Sequence, residues 1–114
     1  MLTNYQDLPF VDEHGISLDL SPETVWENLQ RTAPSTGFRV TESTPPAKLV
    51  LEGRHPFSRY ALVFLIEPRD GGGSRAVAQT WAAFPGITGT GYRALVIGSG
   101  VHAVLVRRML RRLA

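Results

Sequence analysis

Few residues in this chain could carry chemistry, and His102 is the first of them. It stands in the stretch from Ala94 to Val106, where only it and Ser99 are polar. A neutral imidazole among apolar neighbours can orient a ligand carbonyl or act as a base near neutral pH. The alternative is a boundary histidine bonded to one protein acceptor. Trp81, Tyr60 and Tyr92 each combine an apolar body with one polar N–H or O–H, which suits either a pocket wall or a core. Gln79 and Thr80 are adjacent polar residues in a strand-like run, so whichever faces inward needs a partner.

Other chemistries find no residues. His14, His55 and His102 fall in three separate elements without metal-ligand spacing, and there is no cysteine, so no metal is expected. There is no G-x-S-x-G, no Ser-His-Asp arrangement and no thiol nucleophile. Asp19 and Glu23 read as a strand end and an acid at a helix N-terminus rather than an acid–base pair. Gly98, Gly100 and Ala103 match the G-x-G-x-x-A dinucleotide fingerprint, but only 11 residues follow and none is acidic. The second strand and its acid cannot be supplied, so no cofactor is expected. The glycine run 71–73 could cradle a phosphate, but no Lys-Ser/Thr follows it, and a hairpin explains it.

These side chains need a scaffold. His14 to Leu20 alternates as a half-buried strand. Ser21, Pro22 and Glu23 open a helix, with Ser21 as N-cap and Val25, Trp26 and Leu29 on its apolar face. Ala33 to Gly37 ends it. Four strands follow: Phe38 to Ser43, Lys48 to Gly53, Arg59 to Glu67 and Arg75 to Phe84, with a polar loop, HPFSRY, at residues 55–60. Arg59 to Glu67 is apolar on both faces. From Tyr92 to the end, Tyr92, Val96, Ser99, Ala103, Val106, Leu110 and Leu113 keep one face of a 3.6-residue period, which predicts a single long helix. Arg107, Arg108, Arg111 and Arg112 suit the C-terminal end of its dipole. Residues 1–13 read as a loose lead-in. Short turns imply antiparallel neighbours. The expected fold is α+β: a curved antiparallel sheet of about five strands on a long C-terminal helix, as one domain over residues 1–114.

Composition narrows the classes further. The chain has 114 residues, 43% hydrophobic and 19% charged, as in an ordinary soluble globular chain. The missing cysteines and the absence of a signal-peptide pattern in MLTNYQDLPF suggest the cytoplasm. Eleven of the twelve basic residues are arginine, which hints at a bacterial source. The formal charge of +2 hides a net −4 over residues 1–57 and +6 over residues 58–114. Half of the latter's arginines are the terminal helix cluster, which reads as a solvated helix end rather than a nucleic-acid surface. The 13 residues between Arg93 and Arg107 would cover about 20 Å as helix, short of the roughly 30 Å of a membrane span.

Three segments carry a family resemblance. Ser21 to Trp26 (SPETVW) after a first strand resembles the S-P-E-x-V-W opening of the START-like superfamily. That superfamily is also known as SRPBCC, Bet v 1-like, or polyketide cyclase and lipid-transport-like. Val40 to Leu51 resembles its V-x-E-x-x-P-P-x-x-L-V-L strand pair, and Glu67 to Arg75 its E-P-x-G-G-G-T-R hairpin. The resemblance runs from about His14 to the end, with the segments in family order. It implies a helix-grip fold with an apolar cavity between sheet and C-terminal helix. The chain departs from the family by lacking about two strands and a second short helix, which Pro34 to Gly37 replace.

The function this implies is non-catalytic binding of a small hydrophobic or lipid-like ligand. The expected contacts are Tyr60, Phe64, Gln79, Trp81, Tyr92, Ser99 and His102. One alternative is a cyclase- or dehydratase-like enzyme with His102 as general acid and base. Another is an interaction module with a filled core. A shortened wall would leave Ile97, Val101, Val104 and one face of the Arg59 to Glu67 strand bare, so a symmetric homodimer is expected unless residues 1–13 fold over the patch.

Overall fold

A computed structural model of the chain describes residues 5–33, 38–55, 58–83 and 101–114, with the side chains at 54, 55, 58, 101–103 and 105 outside that description. A short 3-10 turn, Tyr5–Asp7, precedes strand β1 (Phe10–Leu18) and helix α1 (Pro22–Thr32). Strands β2 (Arg39–Thr44), β3 (Lys48–His55), β4 (Ser58–Pro68) and β5 (Ser74–Ala83) follow, then helix α2 (Val101–Arg111). The five strands form one antiparallel sheet in the order β1-β5-β4-β3-β2. The α+β class and the five-stranded antiparallel sheet are as expected.

Local chemistry explains the elements. Ser21 is extended (φ −64°, ψ 154°) and its Oγ accepts from the Thr24 backbone N–H at 3.2 Å, satisfying one of the orphan donors of the first turn. Pro22 follows at the first helical position, where its missing N–H costs nothing. Val25, Asn28 and Leu29 recur at the helical spacing and form the buried face. In the β4–β5 hairpin, Gly71 and Gly72 take φ of +93° and +95°, a region that side chains with a Cβ seldom enter. A Cβ on Gly73 would come within 2.6 Å of the Leu18 carbonyl oxygen, so the hairpin also depends on a close backbone approach.

One face of the sheet carries the main core. Leu18, Leu49, Leu51, Leu62, Phe64, Ile66, Ala76 and Ala78 pack with Val25 and Leu29 of α1 and with Val106, Leu110 and Leu113. Helix α2 lies against β1 and β5, while α1 lies against β4 and β5. Asn28 ties the two helices together: its Nδ2 donates to the Leu113 carbonyl at 2.7 Å, supplying a partner for a carbonyl just past the end of α2. Arg31 in turn donates to Asn28 Oδ1.

Three expectations change. The described terminal helix has 11 residues and begins at Val101, whereas a long helix from Tyr92 wrapped by the sheet was expected; residues 92–100 lie outside the described part. Gly98 and Gly100 just before it each disfavour helix by about 1 kcal/mol. The sheet does not wrap α2, because α1 shares the same face. Residues 5–13 are not a loose lead-in: β1 starts at Phe10, and Tyr5 and Leu8 are buried on the second face of the sheet against Val50, Ala61 and Val63. That covers the β4 face on which a homodimer was expected to form. Val104 is exposed on α2, Ile97 lies outside the described residues, and so does the side chain of Val101. On α1, Trp26 is partly buried beside the core, on the apolar face expected for it, while Val25 and Leu29 are fully buried.

The N-terminal cover is pinned by polar contacts. Pro9 accepts from the Ala82 N–H at 2.9 Å, and the Lys48 ammonium sits 5.0 Å from the centre of the Tyr5 ring and 3.3 Å from Glu42. The Tyr5 hydroxyl is the main cause that holds Lys48 above the ordinary lysine value of 10.5, partial burial opposes it, and Glu42 adds to the rise. A raised lysine pKa stabilises the fold fully below about 10.5, and the contribution disappears as pH climbs through the folded value. Wild-type protein should therefore lose melting temperature above pH 10.5 more steeply than Lys48→Met. Parallel curves would show that Lys48 contributes nothing.

Candidate functional site

Alternation along β5 divides the sequence-expected site residues between two faces. Ala76, Ala78, Thr80 and Ala82 are buried, while Val77, Gln79, Trp81 and Ala83 alternate with them. The buried set faces the helices, because Ala76 and Ala78 belong to the core under α1 and α2. On β4, Tyr60 shares a face with Leu62, Phe64 and Ile66, so Tyr60 and Phe64 also look toward the helices. The Tyr60 ring meets Phe38 edge-on, with centroids 5.2 Å apart.

Gln79 and Trp81 lie on the other face. The Trp81 ring packs edge-on against Tyr5 and Phe10 at 5.3 and 5.2 Å, and its Nε1 donates to Gln79 Oε1 at 3.2 Å. Gln79 Nε2 donates to Glu13 Oε1 at 2.9 Å. Both polar handles are satisfied there, Trp81 against the N-terminal cover and Gln79 at the exposed edge of it beside Glu13. Of the remaining expected contacts, Tyr92 and Ser99 lie outside the described residues. His102 falls in the first turn of α2, at the end remote from Asn28, and its side chain is likewise outside the description.

Two helix-facing residues, Asp12 and His14, escaped the sequence reading as site residues, and Thr80 is the inward-facing member of the Gln79–Thr80 pair. Thr80 is cross-strand partner to Asp12 on one side and to Leu62 on the other. His14 pairs with Ala78. Between Phe10 and Asp12 the β1 register slips, so that Phe10 faces Trp81 while Asp12 faces Thr80. Val11 is the extra residue of a bulge, a device that re-aims the side chains beyond it. Without it, strict alternation would put Asp12 on the same face as Phe10, away from the helices.

The electrostatics of this patch are specific. His14 Nε2 lies 3.2 Å from Asp12 Oδ2, with side chains only 18% and 21% exposed. A carboxylate accepts only, so neutral His14 donates from Nε2, which leaves Nδ1 as the ring's acceptor. Thr80 is 7% exposed, and its Oγ1 is the one buried side-chain oxygen or nitrogen without a hydrogen-bond partner among the described residues. An unpaired buried hydroxyl costs about 1–3 kcal/mol. The site thus offers a buried donor–acceptor hydroxyl beside a carboxylate-oriented imidazole, with the Tyr60, Leu62 and Phe64 row next to it. No group of three or more His, Cys, Asp or Glu side chains suited to a metal occurs among the described residues. No helix among them is long and apolar enough to cross a membrane.

No protein-family model matches the chain, and no curated protein matches it. Solved structures share its fold at low identity. A conserved protein from Geobacillus kaustophilus superposes with a TM-score of 0.65 at 15% identity, covering 89% of this chain and 90% of that one. A protein from Rhizobium loti gives 0.59 at 16% identity, over 90% and 93% of the two chains. CalU16 from Micromonospora echinospora gives 0.53 at 12% identity, over 89% and 82%. At such identities the likeness is one of fold, and the chain is similar to these proteins over nearly its whole length.

Proposed function

We propose that the chain binds a small, mainly apolar molecule between the helix-facing side of the sheet and α2, without catalysis. The observation that carries this reading is the Thr80 hydroxyl, 7% exposed and unpaired among the described residues. Native interiors seldom keep such a group, and a ligand oxygen is a partner that would account for it. Tyr60, Leu62 and Phe64 beside it supply apolar and aromatic surface of the kind that lines ligand sites. The resemblance of the SPETVW, strand-pair and hairpin segments to the START-like superfamily points to the same ligand class.

Thr80→Val tests the reading, since it exchanges the hydroxyl for a methyl of similar size. The unliganded variant should gain about 1 kcal/mol or more in denaturant titration, because an unsatisfied buried oxygen is removed. Native mass spectrometry of protein purified from its own host should show a retained small molecule in the wild type and less of it in the variant. A destabilised Thr80→Val protein would mean that the hydroxyl already has a protein partner. Absence of any retained molecule, with no binding of fatty acids or polyaromatic probes, would overturn ligand binding itself.

A further inference from the structure

We infer that Asp12, His14 and Thr80 form one polar recognition site that selects apolar ligands bearing a hydroxyl group. This rests on the binding role proposed above and names the chemical class it admits. Thr80 and Asp12 are direct cross-strand partners, and His14 pairs with the next helix-facing residue of β5, Ala78. Side chains in that diagonal relation stand roughly 7–8 Å apart at the backbone, within reach of one ligand group between them. Asp12 holds His14 through Nε2, so the neutral ring offers an acceptor and no further donor. The buried Thr80 hydroxyl can donate to a ligand oxygen, since no described residue takes its proton. A ligand hydroxyl answers both demands at once: its hydrogen goes to His14 Nδ1 and its oxygen accepts from Thr80 Oγ1. An ether or a ketone would satisfy Thr80 only, and a hydrocarbon would satisfy neither. Asp12 is a positioning residue in this arrangement, fixing which ring nitrogen carries the hydrogen. The row on the opposite face, Glu13–Gln79–Trp81, is partly exposed and hydrogen-bonded within itself.

The test compares 2-naphthol with 2-methylnaphthalene, nearly equal in size, by calorimetric titration of the full chain. Wild type should bind 2-naphthol about tenfold or more tighter, the difference expected when two hydrogen bonds are made or lost in a dry site. His14→Ala and Thr80→Val should each cut that preference to about twofold, read as the ratio of the two probes' affinities within each variant. His14→Phe, which keeps a planar ring without an acceptor, gives the same readout if His14→Ala folds poorly. Equal wild-type affinity for the two probes would overturn the polar site and leave apolar binding standing. A preference that survives both His14 variants would overturn the assignment of His14. Binding of neither probe would sink this inference together with the reading it rests on.

Discussion

Replacing Tyr5 and Leu8 together by alanine is expected to remove at least about 4 kcal/mol of folding stability. Each is buried, at 7% and 6% exposure, and large-to-small changes at such sites cost about 2–5 kcal/mol apiece. The two are neighbours through the Leu8 N–H to Tyr5 carbonyl bond at 2.9 Å, so their effects will not simply add. The loss also uncovers Val50, Ala61 and Val63, of which two are fully buried and the third nearly so. An apolar sheet face of that kind invites association. Denaturant titration measures the first effect, and light scattering should detect species larger than 12.5 kDa in the variant. A loss below about 1 kcal/mol would mean that the N-terminal segment is not part of the fold.

Leu29→Ala should cost about 2–5 kcal/mol, near the upper end if the site cannot collapse. Leu29 is 1% exposed and sits where α1 meets the sheet core and the end of α2. Asn28 beside it holds the Leu113 carbonyl, so a shifted α1 would also strain that buried bond. Trp26→Ala should cost less than Leu29→Ala, because the indole is only partly buried although it is the larger side chain. The order of the two in parallel denaturant titrations decides which residue anchors α1. If Trp26→Ala proves the more damaging, the helix docks through its indole.

The local elements were legible because their causes are local. Ser21, Pro22 and Glu23 mark a helix start whatever surrounds them, and the glycines at 71–72 mark a turn with positive φ. Period-two runs likewise announced the strands of the meander, each within a few residues of its observed bounds. Thr80 and Gln79 were recognisable as a pair of which one must face inward, but alternation alone does not say which. That choice depends on which face of the sheet receives the helices, and the packing of Ala76 and Ala78 under them made it. The same choice sent Trp81 and Gln79 to the far side. The β1 bulge lies beyond any periodicity argument, because one extra residue at Val11 breaks the alternation that would have revealed Asp12.

What the sequence by itself determined is the order of elements, the α1 cap, the glycine hairpin and the antiparallel α+β class, all set by φ preferences and short-range hydrogen bonding. What only the tertiary structure decided is the burial of Tyr5 and Leu8, the division of the sheet's polar residues between two faces, and the meeting of Asp12, His14 and Thr80. These depend on contacts across some 65 residues of chain between β1 and β5, where register and face are chosen by packing rather than by local propensity.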